Sequence, residues 1–219
     1  MLIIGLTGSI AMGKSTASRL LRRRGIRVHD ADAAIHHALA RGGAGVTAVA
    51  ALFPECLRDD AIDRQALGAR VFADRAALAR LEAILHPLAR RATRAFLAHA
   101  ARARVRLAVL DVPLLFETQA ERRVDAVIVV SAPSWMQRQR VLRRPGMTAE
   151  KLAMILARQL PDHDKRRRAD AIVTSALGVA RTSRDLVRVL ARLRERTPRR
   201  WKPGWHGSCD PRSVTRDHA

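Results

Sequence analysis

The sequence predicts an α/β protein, with a central parallel sheet of about five strands flanked by helices. Three observations carry this. Short, apolar, β-branched runs alternate with segments of helical period along most of the chain. The first run, "MLIIGLT" (1–7), leads directly into "GSIAMGKST" (8–16), a G-x-x-x-x-G-K-S pattern that opens a helix. The length of 219 residues suits one α/β domain carrying a small insertion.

Taken in order, "MLIIGLT" reads as a buried strand and "KSTASRLLRRRG" as a helix stopped by Gly25. "IRVHDAD" is a second short strand ending in acids, followed by helical "AAIHHALAR" and a break at "GGAG". The stretch from Val46 to Arg104 reads as almost wholly helical. Asp63 and Asp74 stand as N-caps for "RQALGARVF" and "RAALARLEAIL", and Pro87 fits the first turn of a further helix. "VRLAVLDVPLLF" and "VDAVIVVSA" are the third and fourth strands. Two helices, "SWMQRQRVLRR" and "MTAEKLAMILARQ", join around Pro145-Gly146. "ADAIVTS" is the fifth strand, and "VARTSRDLVRVLARLRER" the closing helix. From Thr197 onward the chain is rich in Pro, Gly and Arg without period, and 198–219 is expected to be a solvated, mobile tail.

Composition narrows the partners. At 48% hydrophobic the chain can bury a sizeable core, and no apolar run reaches the length of a membrane span. Met1 passes straight into strand without a basic segment, so no signal peptide is expected. Cys56 and Cys209 are far apart, have no metal-ligand spacing and suit a reducing cytosol. The net charge of +21 is carried almost entirely by arginine and admits a polyanionic partner. However, the arginines are scattered, Asn and Tyr are missing, and aromatic residues make up only 3%. These features favour compositional bias plus phosphate handling over a dedicated nucleic-acid surface.

The loop has a definite chemistry. Gly8 and Gly13 allow backbone angles that turn successive amides toward phosphate oxygens, and the helix that follows presents its positive end to the same anion. Lys14 adds a point charge near the β- and γ-phosphates, the Ser15 hydroxyl is a ligand for Mg²⁺, and Thr16 is placed to touch the α-phosphate. No guanine-reading N-K-x-D and no transporter LSGGQ segment accompany it, so a small kinase with a P-loop kinase fold is expected. Asp32, in "HDAD" (29–32), is expected at the carboxyl edge of the second strand, beside the first. Read alone, it is equally a general base on an attacking hydroxyl or the cap of the following helix.

Four further stretches are more specific: "DRQALGARVFAD" (63–74), "LEAILHPLAR" (81–90), "DVPLLFE" (111–117) and "ADAIV" (169–173). With the loop and "DAD", in this order, the chain closely resembles the dephospho-CoA kinase family over residues 1 to 195. The resemblance implies transfer of the γ-phosphate of ATP to the ribose 3′-hydroxyl of dephospho-CoA in the cytoplasm, with Mg²⁺. It implies that Ala11, Met12, Gly13, Lys14, Ser15 and Thr16 hold the ATP phosphates, and that Asp32 serves as the base. Thr7 and His86 match positions lining the acceptor pocket, and Asp111 has a Walker-B-like place that suits Mg²⁺. Arg140 and Arg144 match lid arginines, and their i, i+4 spacing is expected to put both on one helix face. Without the resemblance, His86 reads as a helix end and the two arginines as a solvated face. The expected organisation is a core of 1–35 and 105–197, a helical acceptor-binding region at about 36–104, and a lid at about 134–168. Leu78, Leu81, Ile84 and Leu85 are assigned to packing.

The chain departs from the family pattern in places. Ser9, Ala11 and Met12 stand where glycine or small residues are common. Thr174 or Ser175 holds a place near the adenine where Asn is frequent, and the basic tail has no counterpart. Two rival readings are a P-loop kinase of nucleoside or shikimate type, and a basic nucleic-acid-binding ATPase.

Overall fold

The computed structural model describes residues 1–72 and 74–201. Strand β1 (Leu2–Thr7) is buried at all six positions. Its loop opens helix α1 (Lys14–Arg23), and the chain then forms β2 (Arg27–Asp30) and α2 (Ala31–Leu39). A middle region follows: α3 (Val46–Leu52), the short strands β3 (Leu57–Arg58) and β4 (Ala61–Ile62), α4 (Arg64–Phe72) and the long α5 (Arg75–Arg102). The chain returns to the sheet as β5 (Leu107–Asp111) and β6 (Ala126–Ser131). Helices α6 (Ser134–Leu142), α7 (Ala149–Ala157) and α8 (Asp162–Arg168) precede β7 (Ala171–Thr174) and the closing α9 (Gly178–Leu193).

The five long strands form one parallel sheet in the order β2-β5-β1-β6-β7. The alternation of side chains along each strand feeds two cores. Ile4 and Leu6 join Leu20 and Leu21 of α1 and Leu186 and Leu190 of α9 on one face. Ile3 joins Leu97 of α5, Leu110, Leu115 and Phe116 on the other. Both faces are covered, which is why the strands are near-continuous apolar runs. The middle region has its own core, built from Leu39, Val49, Phe53, Leu67, Val71 and Leu81. Leu78, Ile84 and Leu85 pack against that core, as expected.

Several local readings change. Residues 75–102 form one helix with Pro87 inside it, not a helix beginning at Pro87. Proline removes one hydrogen bond and crowds the preceding turn. Here Pro87 is exposed, and the helix is held on both sides of it, by Leu81 in the middle core and by Leu97 on the sheet. The stretch from Val46 to Arg104 is also not wholly helical. Asp59 and Asp60 take left-handed φ angles of 48° and 59° and close the β3–β4 hairpin, a geometry that short Asp side chains tolerate. Helix α8 was missed because "DHDKRRR" has no apolar period. Its Lys165 is fully buried, 2.9 Å from Glu117, which also accepts a hydrogen bond from Leu160 N. That pair fixes where the helical segment 134–168 rejoins the sheet. Finally, β2 does not lie beside β1: β5 stands between them. Residues 202–219, most of the expected tail, and Cys209 with them, lie outside the described residues.

Candidate active site

The sheet register builds the site. Asp111, the last residue of β5, pairs with Leu6 of β1 on one side and Asp30 of β2 on the other. The carboxyl ends of three strands are therefore level, directly beside the loop that leaves β1. In open α/β sheets this edge is where ligands bind.

Both glycines of the loop are required. A Cβ on Gly8 would lie 2.5 Å from the carbonyl oxygen of Val130. Gly13 has φ 94°, and a Cβ there would lie 2.7 Å from that of Ser175. Gly13 then caps α1, so the unpaired amides of the first turn face the loop's hollow. Lys14 stands in that turn with Nζ 2.5 Å from Asp111 Oδ1, and Ser18, one turn later, donates its hydroxyl to Asp111 Oδ2. Asp111 is 2% exposed and thus held by two side chains of one helix face. Ser15 is exposed in the same turn, and Thr16 is half-buried beside it.

Asp30, not Asp32, caps α2, accepting from Ala33 N at 3.0 Å. Asp32 lies exposed in the first turn of α2, with no capping duty. The protein around its carboxyl desolvates it and raises its pKa above the ordinary carboxylate value. Lys14 opposes that shift, Asp30 and Asp111 add to it, and His36 opposes it. Asp32, Lys14 and Asp111 thus share one electrostatic site. His29, next to Asp30, stacks on Phe96 at 5.1 Å and is held neutral-leaning by burial, its pKa lowered.

The other expected residues are distributed around this centre. Thr7 is fully buried and donates its hydroxyl to the carbonyl of Pro113 at 3.0 Å, steadying the turn after β5. His86 is exposed on α5. Arg140 of α6 reaches the loop: its Nη1 donates to Ala11 O at 3.3 Å and to Ser175 Oγ at 2.8 Å, and its Nη2 to Ser175 O at 2.9 Å. Arg144 does not share a helix face with Arg140. Helix α6 ends at Leu142 with Arg143 as its C-cap, so Arg144 lies in the exposed turn before Pro145-Gly146, where that dipeptide stops the helix. Met12 is buried and accepts from Ala132 N at its sulfur.

Sequence reasoning missed Ser18, Gln137 and Gln159, and gave Ser175 only a place near the adenine, not its contact with the loop. The spacing of Ser18 from Lys14, one helical turn, carried a usable signal. Gln137 and Gln159 act through tertiary contacts and carried none. Across the cleft, Arg158 places its guanidinium 4.9 Å from the Phe72 ring and donates to the Phe72 carbonyl, linking the 134–168 segment to the middle region.

A parallel sheet with a phosphate loop at its central strand and a carboxylate paired with the loop's lysine defines a nucleotide-binding protein of the P-loop class. The comparisons agree and are narrower. The family described as dephospho-CoA kinase matches residues 2–180. A dephospho-CoA kinase of Paramagnetospirillum magneticum is 63% identical over 166 residues, 76% of this chain and 78% of that protein. One of Rhodospirillum rubrum is 56% identical over 204 residues, 93% of this chain and 96% of the other. The chain belongs to the dephospho-CoA kinase family. Among solved structures, a protein from Thermus thermophilus superposes with TM-score 0.75 at 36% identity, covering 88% of this chain and 97% of that one. A dephospho-CoA kinase from Campylobacter jejuni shares the fold, with TM-score 0.61 at 23% identity, over 87% of this chain and 96% of its own.

Proposed function

We propose that this protein transfers the γ-phosphoryl group of ATP to the ribose 3′-hydroxyl of dephospho-CoA, giving coenzyme A and ADP, with Asp32 as the general base. Membership of the family supports the reaction. The observation that supports the base is that Asp32 is free of the cap and lies within the electrostatic reach of Lys14 and Asp111. Its raised pKa brings a carboxylate nearer the working pH, where it accepts a proton more readily from an alcohol being phosphorylated. The loop amides and Lys14 bind and orient the phosphates, so the 3′-hydroxyl meets the γ-phosphorus from the Asp32 side.

The exposed hydroxyl of Ser15 and the carboxylate of Asp111 are hard oxygen donors, the set that suits Mg²⁺; Ser15 would hold the ion, and Asp111, whose oxygens accept from Lys14 and Ser18, would hold its water shell. When bound there, the ion neutralises charge on the phosphate oxygens. The acceptor is placed against the middle region. A cavity of about 410 Å³ lies one turn along α2 from Asp32, lined by Ala33, His36, His37, Ala61, Ile62 and Arg64. Its Arg64 guanidinium and the ring N–H donors of His36 and His37 suit an acceptor that carries a diphosphate. Among the described residues no helix is long and apolar enough to cross a membrane. We place the protein in the cytoplasm on its membership of the dephospho-CoA kinase family, whose reaction consumes ATP.

A coupled assay with ATP and dephospho-CoA tests the proposal directly. ADP release that depends on dephospho-CoA is expected. Release that depends on shikimate or a nucleoside instead, or on nucleic acid alone, would favour the rival readings, which the family match does not support.

A further inference from the structure

We infer that Gln137, Arg140, Gln159 and Ser175 are positioning residues that hold the phosphate loop in a left-handed turn at Ala11 which its own sequence disfavours. Ala11 has φ 58°, a region that costs any residue with a Cβ free energy relative to glycine. Here alanine occupies that turn, between Gly8 and Gly13, and something outside the loop must keep it there.

The tethers surround it. The loop's amide at Ile10 donates to Gln159 Oε1 at 3.1 Å, and the carbonyl of the same residue accepts from Gln137 Nε2 at 2.9 Å. The Ala11 carbonyl accepts from Arg140, and the Met12 carbonyl accepts from Ser175 Oγ at 2.8 Å. Three successive loop residues are therefore held by four side chains. Two of these stand on α6, one follows α7, and one follows β7. Ser175 is the hub, because the same hydroxyl accepts from Arg140 and its amide donates to Ser131 O of β6. Among the described residues, the side chain of buried Gln137 hydrogen-bonds only to the loop. None of the four needs to touch nucleotide to do this. Each acts through the loop, which it presets in the form that turns amides inward.

The inference rests on the reading of residues 8–16 as the ATP-phosphate loop, and its test is a double-mutant cycle. Gln159→Met and Ser175→Ala are each made in the natural chain and in an Ala11→Gly chain, and ADP affinity is measured by calorimetric titration against each variant's own parent. Without a tether, Ala11 relaxes toward its preferred angles and nucleotide must restore the turn. Glycine carries no such cost. Each variant should therefore weaken ADP about fivefold or more in the natural chain, and about twofold or less in the Ala11→Gly chain. KM for ATP should rise while KM for the acceptor is unchanged, a split that general loosening of the fold would not give. If one variant does not fold, the other decides. Equal penalties in the two chains, or no penalty in the natural one, would overturn the inference. A Lys14→Ala protein that keeps full ADP affinity would instead overturn the reading of the loop.

Discussion

Lys14 Nζ lies 2.5 Å from Asp111 Oδ1, so the loop's cation is neutralised by a carboxylate from the neighbouring strand that is 2% exposed. The pair makes two separable predictions. Lys14→Ala should lower phosphoryl transfer by about 10²–10³, because a charge aimed at the migrating group is lost. It should also lower the melting temperature, because Asp111 keeps only the Ser18 hydroxyl in a buried place. Adding Asp111→Asn should recover the melting temperature and leave transfer low. Circular dichroism melts and turnover on the same samples decide this, and near-normal turnover in Lys14→Ala would remove the loop from the mechanism.

His86 is exposed on α5, next in sequence to Ile84 and Leu85, which pack against the middle core. If that region holds the acceptor, His86→Ala should raise KM for dephospho-CoA by about tenfold, a binding loss of roughly 1.4 kcal/mol. KM for ATP should change by less than about twofold. Steady-state kinetics with each substrate varied in turn provides the measurement. Equal effects on the two constants would place His86 outside the acceptor site.

Trp201 closes the described chain by packing, partly buried, against the sheet-face core with Met1 and Phe96. Just before it, the amides of Arg199 and Arg200 donate to Asp125 Oδ1, while Oδ2 of the same carboxylate accepts from Ile3 N in the central strand. Trp201→Ala should therefore act on stability and not on chemistry. Loss of its partial burial is expected to cost about 1–2 kcal/mol, lowering the melting temperature by about 2–8 °C. Thermal melts and kcat would be compared; a fall in kcat beyond about tenfold, roughly 1.4 kcal/mol, would show that this end reaches the active site.

The sheet and the loop were legible because each rests on local signals. Buried β-branched runs have a period of their own, and G-x-x-x-x-G-K-S constrains backbone angles at fixed positions. The caps at Asp63 and Asp74 were legible for the same reason, and both accept from amides two or three residues on. Pro87 misled because proline is a local stop signal, and packing on both sides of it overrides that signal in α5. The order β2-β5-β1 could not be read, since a strand's neighbour is set by tertiary packing and not by its own residues. Asp30 and Asp32 show the limit most closely. Both acids sit at a helix start, and only the backbone path shows that Asp30 takes the cap and leaves Asp32 exposed in the first turn.

Asp32→Asn tests the mechanism and the electrostatics together. A base loses its proton acceptor, so kcat should fall by about 10²–10⁴ with ATP affinity nearly unchanged. The stability effect has the opposite direction. The folded pKa of Asp32 is raised, chiefly by desolvation, so the folded protein holds this proton more tightly than the unfolded chain does. Stability therefore falls as pH rises from the ordinary carboxylate value to the folded one, and the penalty persists above that window. Asparagine carries no charge and escapes it, so the variant should melt at or slightly above the natural protein at neutral pH. The natural enzyme should lose kcat as pH falls through the raised pKa of Asp32, at a higher pH than an ordinary carboxylate would give. Asparagine should abolish that limb. A variant that keeps more than about a tenth of kcat, a barrier change under roughly 1.4 kcal/mol, with the acid limb intact, would assign the proton to another group.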